Sequence, residues 1–90
     1  MTVRHTMTFT GTVQRVGFRA TTHRLAGGFD VTGWVRNEDD GSVTCVAEGQ
    51  EDELKRFRAA IEYAMGGLIE DIRVDVSAAT GEFDRFTIER

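Results

Sequence analysis

The sequence has no proline and only one cysteine, Cys45. Without proline there is no polyproline recognition segment and no proline-stiffened linker. A lone thiol closes no internal disulfide, and no cluster of cysteine and histidine falls at metal-ligand spacing. The opening residues, Met1 to Thr6, lack an apolar signal core, and no apolar run is long enough to span a bilayer. A cytoplasmic protein with no membrane partner and no bound metal is the expectation. A basic excess is missing as well. Lys and Arg total 11 against 15 Asp and Glu, for a formal charge of −4, which argues against nucleic acid as a partner.

What is present is an ordinary globular composition, 40% apolar and 29% charged over 90 residues. That length suits one domain over residues 1–90 with one core. Val3, His5, Met7 and Phe9 alternate with polar residues, which predicts a first strand with His5 toward its end. Phe18, Thr22, Leu25 and Ala26 then share a helical face, and Gly27-Gly28 is expected to stop that helix in a left-handed conformation. His23 reads as an exposed helical residue. A second strand runs from Val31 to Asn37, with Trp34 covering one face of the sheet. Asp40-Gly41 supplies positive φ for a hairpin, and Val43 to Ala47 form the next strand, with Cys45 as a small, inert core residue. Acidic residues from Glu51 to Glu53 open a second helix, where its dipole favours them. The stripe Leu54, Phe57, Ile61, Ala64 and Met65 is its core face, and Gly66-Gly67 its end. Ile69, Ile72, Val74 and Val76 predict a fourth strand of unsettled register near Glu70-Asp71, and Phe83, Phe86 and Ile88 a short last one.

The order βαββαβ plus a short terminal strand predicts an α+β fold. It is the ferredoxin-like split βαβ sandwich, a mainly antiparallel sheet with two helices on one face. Gly11 to Arg19 is the candidate site. A strand passes through a tight turn directly into a helix, leaving unpaired amides and the positive helix end together, which suits an anion. Arg19 in the first helical turn adds a fork of donors matched to phosphate oxygens. The same stretch is also consistent with a plain β-to-α turn carrying a solvated arginine. In the split βαβ arrangement Asn37, ending the second strand, can face that turn.

The residues Gly11-Thr12-Val13-Gln14-Arg15-Val16-Gly17-Phe18-Arg19 resemble the acylphosphatase pattern Gly-x-Val-Gln-Gly-Val-x-Phe-Arg. Gly33-Trp34-Val35-Arg36-Asn37 followed by Asp40-Gly41 is similar to that family's second pattern, as are Val46-Ala47-Glu48-Gly49 and Thr80-Gly81-Glu82-Phe83. The similarity covers almost the whole chain in order. It implies hydrolysis of carboxyl-phosphate mixed anhydrides to a carboxylate and inorganic phosphate, with no metal, no cofactor and no covalent phosphoenzyme. By position, Arg19 corresponds to the phosphate-binding arginine and Asn37 to the water-positioning asparagine. The backbone of Gln14, Arg15, Val16, Gly17 and Phe18 corresponds to the phosphate cradle. The expected partner is a small acyl phosphate, and a monomer is expected.

Arg15 departs from the pattern, standing where the family has glycine. If its φ is positive, arginine costs roughly 1–2 kcal/mol relative to glycine, and its side chain either reaches the phosphate or obstructs it. The alternative is therefore a non-catalytic phosphate- or anion-binding domain of the same fold. An RNA-binding sheet would require exposed stacking aromatics and a basic face. A small-molecule regulatory module would be fused to an enzyme.

Overall fold

Alternation in the first segment produces a long edge-free strand. The computed structural model describes residues 1–90, and β1 spans Thr2–Gly11 with His5, Met7 and Phe9 buried on one side. It is followed by α1 (Phe18–Ala26), β2 (Thr32–Asn37), β3 (Val43–Gln50), α2 (Glu51–Met65), a 3-10 turn (Gly66–Leu68), β4 (Ile69–Ala78) and β5 (Phe86–Glu89). The sheet order is β4-β1-β3-β2-β5, antiparallel throughout except that β5 runs parallel to β2. This is the expected ferredoxin-like α+β arrangement, with the core between sheet and helices. Met7, Phe9, Val35, Val43, Cys45 and Ala47 meet Phe18, Leu54, Phe57 and Ile61, all at most 2% exposed. No helix is long and apolar enough to cross a membrane.

The topology determines which loops can meet. Because β1 and β2 both pair antiparallel with β3, they run parallel to each other, and β5 runs with them. The C-terminal ends of all three, the start of α1 and the β2–β3 hairpin therefore lie at one end of the sheet. The other end holds the start of β1, the end of β3 and the segment linking β4 to β5.

Several local expectations change. His5 is not a strand-end residue. It is 1% exposed in the body of β1, its Nε2 lies 2.9 Å from Glu51 Oε1, and its Nδ1 has no partner. Gly27 is right-handed at φ −64°, because its N–H still bonds back into the last turn of α1. In the hairpin only Gly41 has positive φ; Asp40 instead accepts the Ser42 backbone N–H and hydroxyl. The core stripe of α2 is Leu54, Phe57, Ile61 and Met65, while Ala64 turns to solvent. β3 continues beyond Ala47 to Gln50, so Glu48 is a strand residue. The unsettled register at Glu70 is a bulge, with Thr10 paired to Asp71 and Gly11 to Ile69. The extra residue breaks the alternation that sequence periodicity depends on. Phe83 lies before β5, under the Arg4 guanidinium, whose carbon is 5.1 Å from the ring centroid. Trp34 is on the sheet face away from the helices, with the Arg36 guanidinium 4.5 Å over its ring, as expected for a covering residue.

Candidate active site

Two buried anchors, Val13 and Phe18, bracket the segment that connects β1 to α1. Phe18 is the first residue of α1 and packs against Phe9 of β1, ring centroids 5.0 Å apart. At the start of the segment the Thr12 N–H donates to the Leu68 carbonyl at 2.9 Å. Gly11 itself, at φ 123°, leaves no room for a side chain, since an added Cβ would sit 2.5 Å from that same carbonyl oxygen. The residues between the anchors are thus held at both ends without being buried themselves.

Inside this segment the backbone turns left-handed twice. Arg15 has φ 64° and Gly17 has φ 78°. Gly17 caps α1 by backbone alone, and a Cβ there would meet nothing within 4 Å, so conformation rather than space calls for glycine. Arg15 is the one non-glycine residue of the chain with positive φ. Alternating handedness points successive amides into a common concavity. The first bond of the helix runs from the Thr21 N–H to the Gly17 carbonyl at 2.9 Å, and the amides from Gln14 to Ala20 have no acceptor within the protein. They lie at and just before the N-terminus of α1, where the helix dipole is positive.

Beside these amides is an open cleft of about 250 Å³, lined by Val13, Arg15, Gly17, Phe18, Arg19, Ala20, Asn37, Ile88 and Arg90. Arg19 and Asn37 are thereby brought to one cavity, from α1 and from the end of β2. Arg19 is steadied by β5: its Nη1 lies 3.4 Å from the Glu89 carbonyl oxygen. No carboxylate, imidazole or thiol side chain lines the cleft. Gln14 and Val16 do not line it. The Val16 side chain packs against the core. Gln14 Nε2 donates to the carbonyls of Glu38 at 2.7 Å and Ser42 at 2.9 Å, tying the cradle to the β2–β3 hairpin.

Sequence reasoning missed Ile88 and Arg90, which reach the cleft because β5 runs parallel to β2 at the sheet edge. Only that pairing, invisible in local periodicity, could have revealed them. Glu48 is followed in sequence by the acidic run Glu51 to Glu53. Glu48 is 4% exposed and lies at the opposite end of the sheet. It accepts the N–H groups of Thr80 at 2.9 Å and Gly81 at 3.0 Å and the Arg4 guanidinium at 2.8 Å. Burial opposes its ionisation, but those two amides, then Arg4 and the Thr80 hydroxyl, outweigh it and hold the carboxyl down to about 2. His23 is exposed on α1, and Cys45 is fully buried, where desolvation pushes its thiol pKa up and leaves it unreactive.

A family profile described as acylphosphatase matches residues 5–88. An acylphosphatase of Salinibacter ruber is 48% identical over 82 residues, covering 90% of this chain and 86% of the relative. One from Paenarthrobacter aurescens is 43% identical over 88 residues, covering 97% and 94%. The crystal structure of acylphosphatase from Bacillus subtilis superposes with a TM-score of 0.90 at 34% identity, covering 98% of this chain and 99% of that one.

Proposed function

The chain belongs to the acylphosphatase family. From that premise we propose that it hydrolyses carboxyl-phosphate anhydrides, with Arg19 holding the phosphoryl group and Asn37 directing the attacking water. One observation carries this reading: Arg15, Gly17, Phe18, Arg19 and Ala20 of the acceptor-free segment line a single cleft together with Asn37 from the end of β2.

The division of labour follows from the substrate. In an acyl phosphate the leaving group is a carboxylate, stable as an anion, so the reaction does not depend on a strong protein acid. What remains is to neutralise charge on the equatorial phosphoryl oxygens and to place water in line. The cradle amides supply donors fixed by the buried Val13 and Phe18, so they need no rearrangement as charge redistributes. Arg19 adds the one full positive charge that β5 also steadies. The Asn37 side-chain carbonyl accepts a hydrogen bond from water and turns an oxygen lone pair toward phosphorus. A bond forms from water oxygen to phosphorus as the bond from phosphorus to the acyl oxygen breaks. The carboxylate departs with that electron pair, and the water proton passes to a phosphoryl oxygen. This sequence calls for no side-chain base, which accords with a lining free of carboxylate and imidazole.

The left-handed φ of Arg15 supports turnover over passive anion binding, because the loop keeps the conformation a glycine would take. Hydrolysis of benzoyl phosphate with a chelator present tests reaction class and metal independence together. Turnover is expected in the wild type and reduced at least about 10²-fold in Arg19→Ala, the scale for losing a preorganised donor to developing charge. Phosphate binding without turnover in the wild type would instead establish the passive anion-binding domain.

A further inference from the structure

Three guanidinium-bearing residues, Arg15, Arg19 and Arg90, line the cleft, and no Asp or Glu side chain does. The proposed chemistry uses one of them. Elsewhere on the molecule guanidinium groups are mostly committed: Arg4, Arg36, Arg56, Arg58 and Arg73 each have a carboxylate within salt-bridge distance, whereas Arg15 has none. Its side chain is exposed and sits on a backbone that glycine would occupy at lower cost. A strained position bearing a free charge at the mouth of a site points to function more than to folding.

We infer that Arg15 is a specificity-determining residue that binds a second anionic group on the acyl part of the substrate, so that phosphorylated dicarboxylic acids are favoured over acyl phosphates with neutral chains. The inference rests on the acyl-phosphate reading of the same cleft. Its chemistry is that of the lining. The phosphoryl end faces the amides and Arg19. The 41% exposed Ile88 offers apolar contact to the methylenes of a short acyl chain. A carboxylate at the far end of that chain then meets Arg15. A guanidinium suits a carboxylate because its fork presents two parallel donors.

Two non-hydrolysable probes of equal length separate this from simple phosphate affinity. 4-Phosphonobutyrate and n-butylphosphonate differ only in a terminal carboxylate against a methyl, and their binding is measured calorimetrically at low salt. The carboxylate probe is expected to bind the wild type about fivefold more tightly, as one partly exposed ion pair provides. Arg15→Gln and Arg15→Gly are each expected to bring that ratio below about twofold, read as a ratio so that any general effect on the cradle cancels. Arg15→Lys should restore part of it. A wild-type ratio near one overturns the inference, and so does a ratio that survives both Arg15→Gln and Arg15→Gly. Because binding is read without turnover, the outcome is independent of benzoyl phosphate hydrolysis. Loss of hydrolysis in the wild type would sink the catalytic reading, whereas equal binding of the probes beside normal hydrolysis would sink only this one.

Discussion

The Gln14 side-chain amide donates to the Glu38 carbonyl at 2.7 Å, joining the cradle to the residue that follows Asn37. The same nitrogen reaches the Ser42 carbonyl at 2.9 Å, so one side chain fixes both limbs of the hairpin relative to the cradle. Gln14→Ala leaves both carbonyls without that donor and is expected to cost about 1–2 kcal/mol of stability. It should also lower kcat roughly tenfold, because water and phosphoryl group are positioned by elements no longer held in register. Urea unfolding and steady-state hydrolysis check the two effects. Reduced stability with unchanged kcat would confine Gln14 to a packing role.

Asn37 ends β2 and lines the same cleft as the first residues of α1. If it positions water and does not grip the phosphoryl group, Asn37→Ala removes an interaction needed for attack but not for binding. The expected result is a kcat lower by about 10²-fold with little change in inhibition by inorganic phosphate. Weakened phosphate inhibition at normal kcat would assign Asn37 to binding instead.

Arg15 at φ 64° is the strained residue of the cradle. Arg15→Gly relieves that strain but loosens the unfolded chain, for a net gain of about 0.5–1 kcal/mol. Arg15→Val places a β-branched residue in the same conformation and should cost about 1–2 kcal/mol. Thermal or urea unfolding of the pair checks the difference. Equal stability of the two variants would mean that the loop relaxes to a different backbone.

The strands and helices were legible because their burial is periodic. β1 alternates, and α2 buries Leu54, Phe57, Ile61 and Met65 at helical spacing. That Arg19 and Asn37 come to one cleft was legible through the two sequence patterns and the split βαβ topology, which lets parallel strands end together. What did not show was whatever depends on partners distant in the chain. His5 looks the same in sequence whether it ends a strand or lies buried against Glu51, 46 residues away. Ile88 and Arg90 enter the cleft through a parallel pairing that leaves no local trace. Glu48 has an acidic neighbourhood in sequence, yet in space its neighbours are Arg4, Thr80 and Gly81.

That last group carries a stability prediction. The segment linking β4 to β5 is pinned to β3 where Glu48 accepts from Thr80, Gly81 and Arg4, and Arg4 also bonds Glu82 at 2.5 Å. The folded state holds the Glu48 carboxyl near 2, below its ordinary value of 4.5. The folded protein therefore releases this proton more readily than the unfolded chain, and the stabilisation is complete above about pH 4.5 and is lost as pH falls toward 2. Glu48→Gln keeps the shape but replaces an anion that accepts several donors with an amide that must itself donate. It should lower stability at neutral pH by about 2 kcal/mol, and its urea midpoint should fall less than the wild type's on acidification from pH 5 to pH 2.5. Because Glu48 lies at the end of the sheet away from the cleft, kcat of the folded variant should remain within about twofold of wild type. Parallel acid limbs for the two proteins would show that other carboxylates, such as Glu82 and Asp40, whose pKa values are also lowered, govern the acid response.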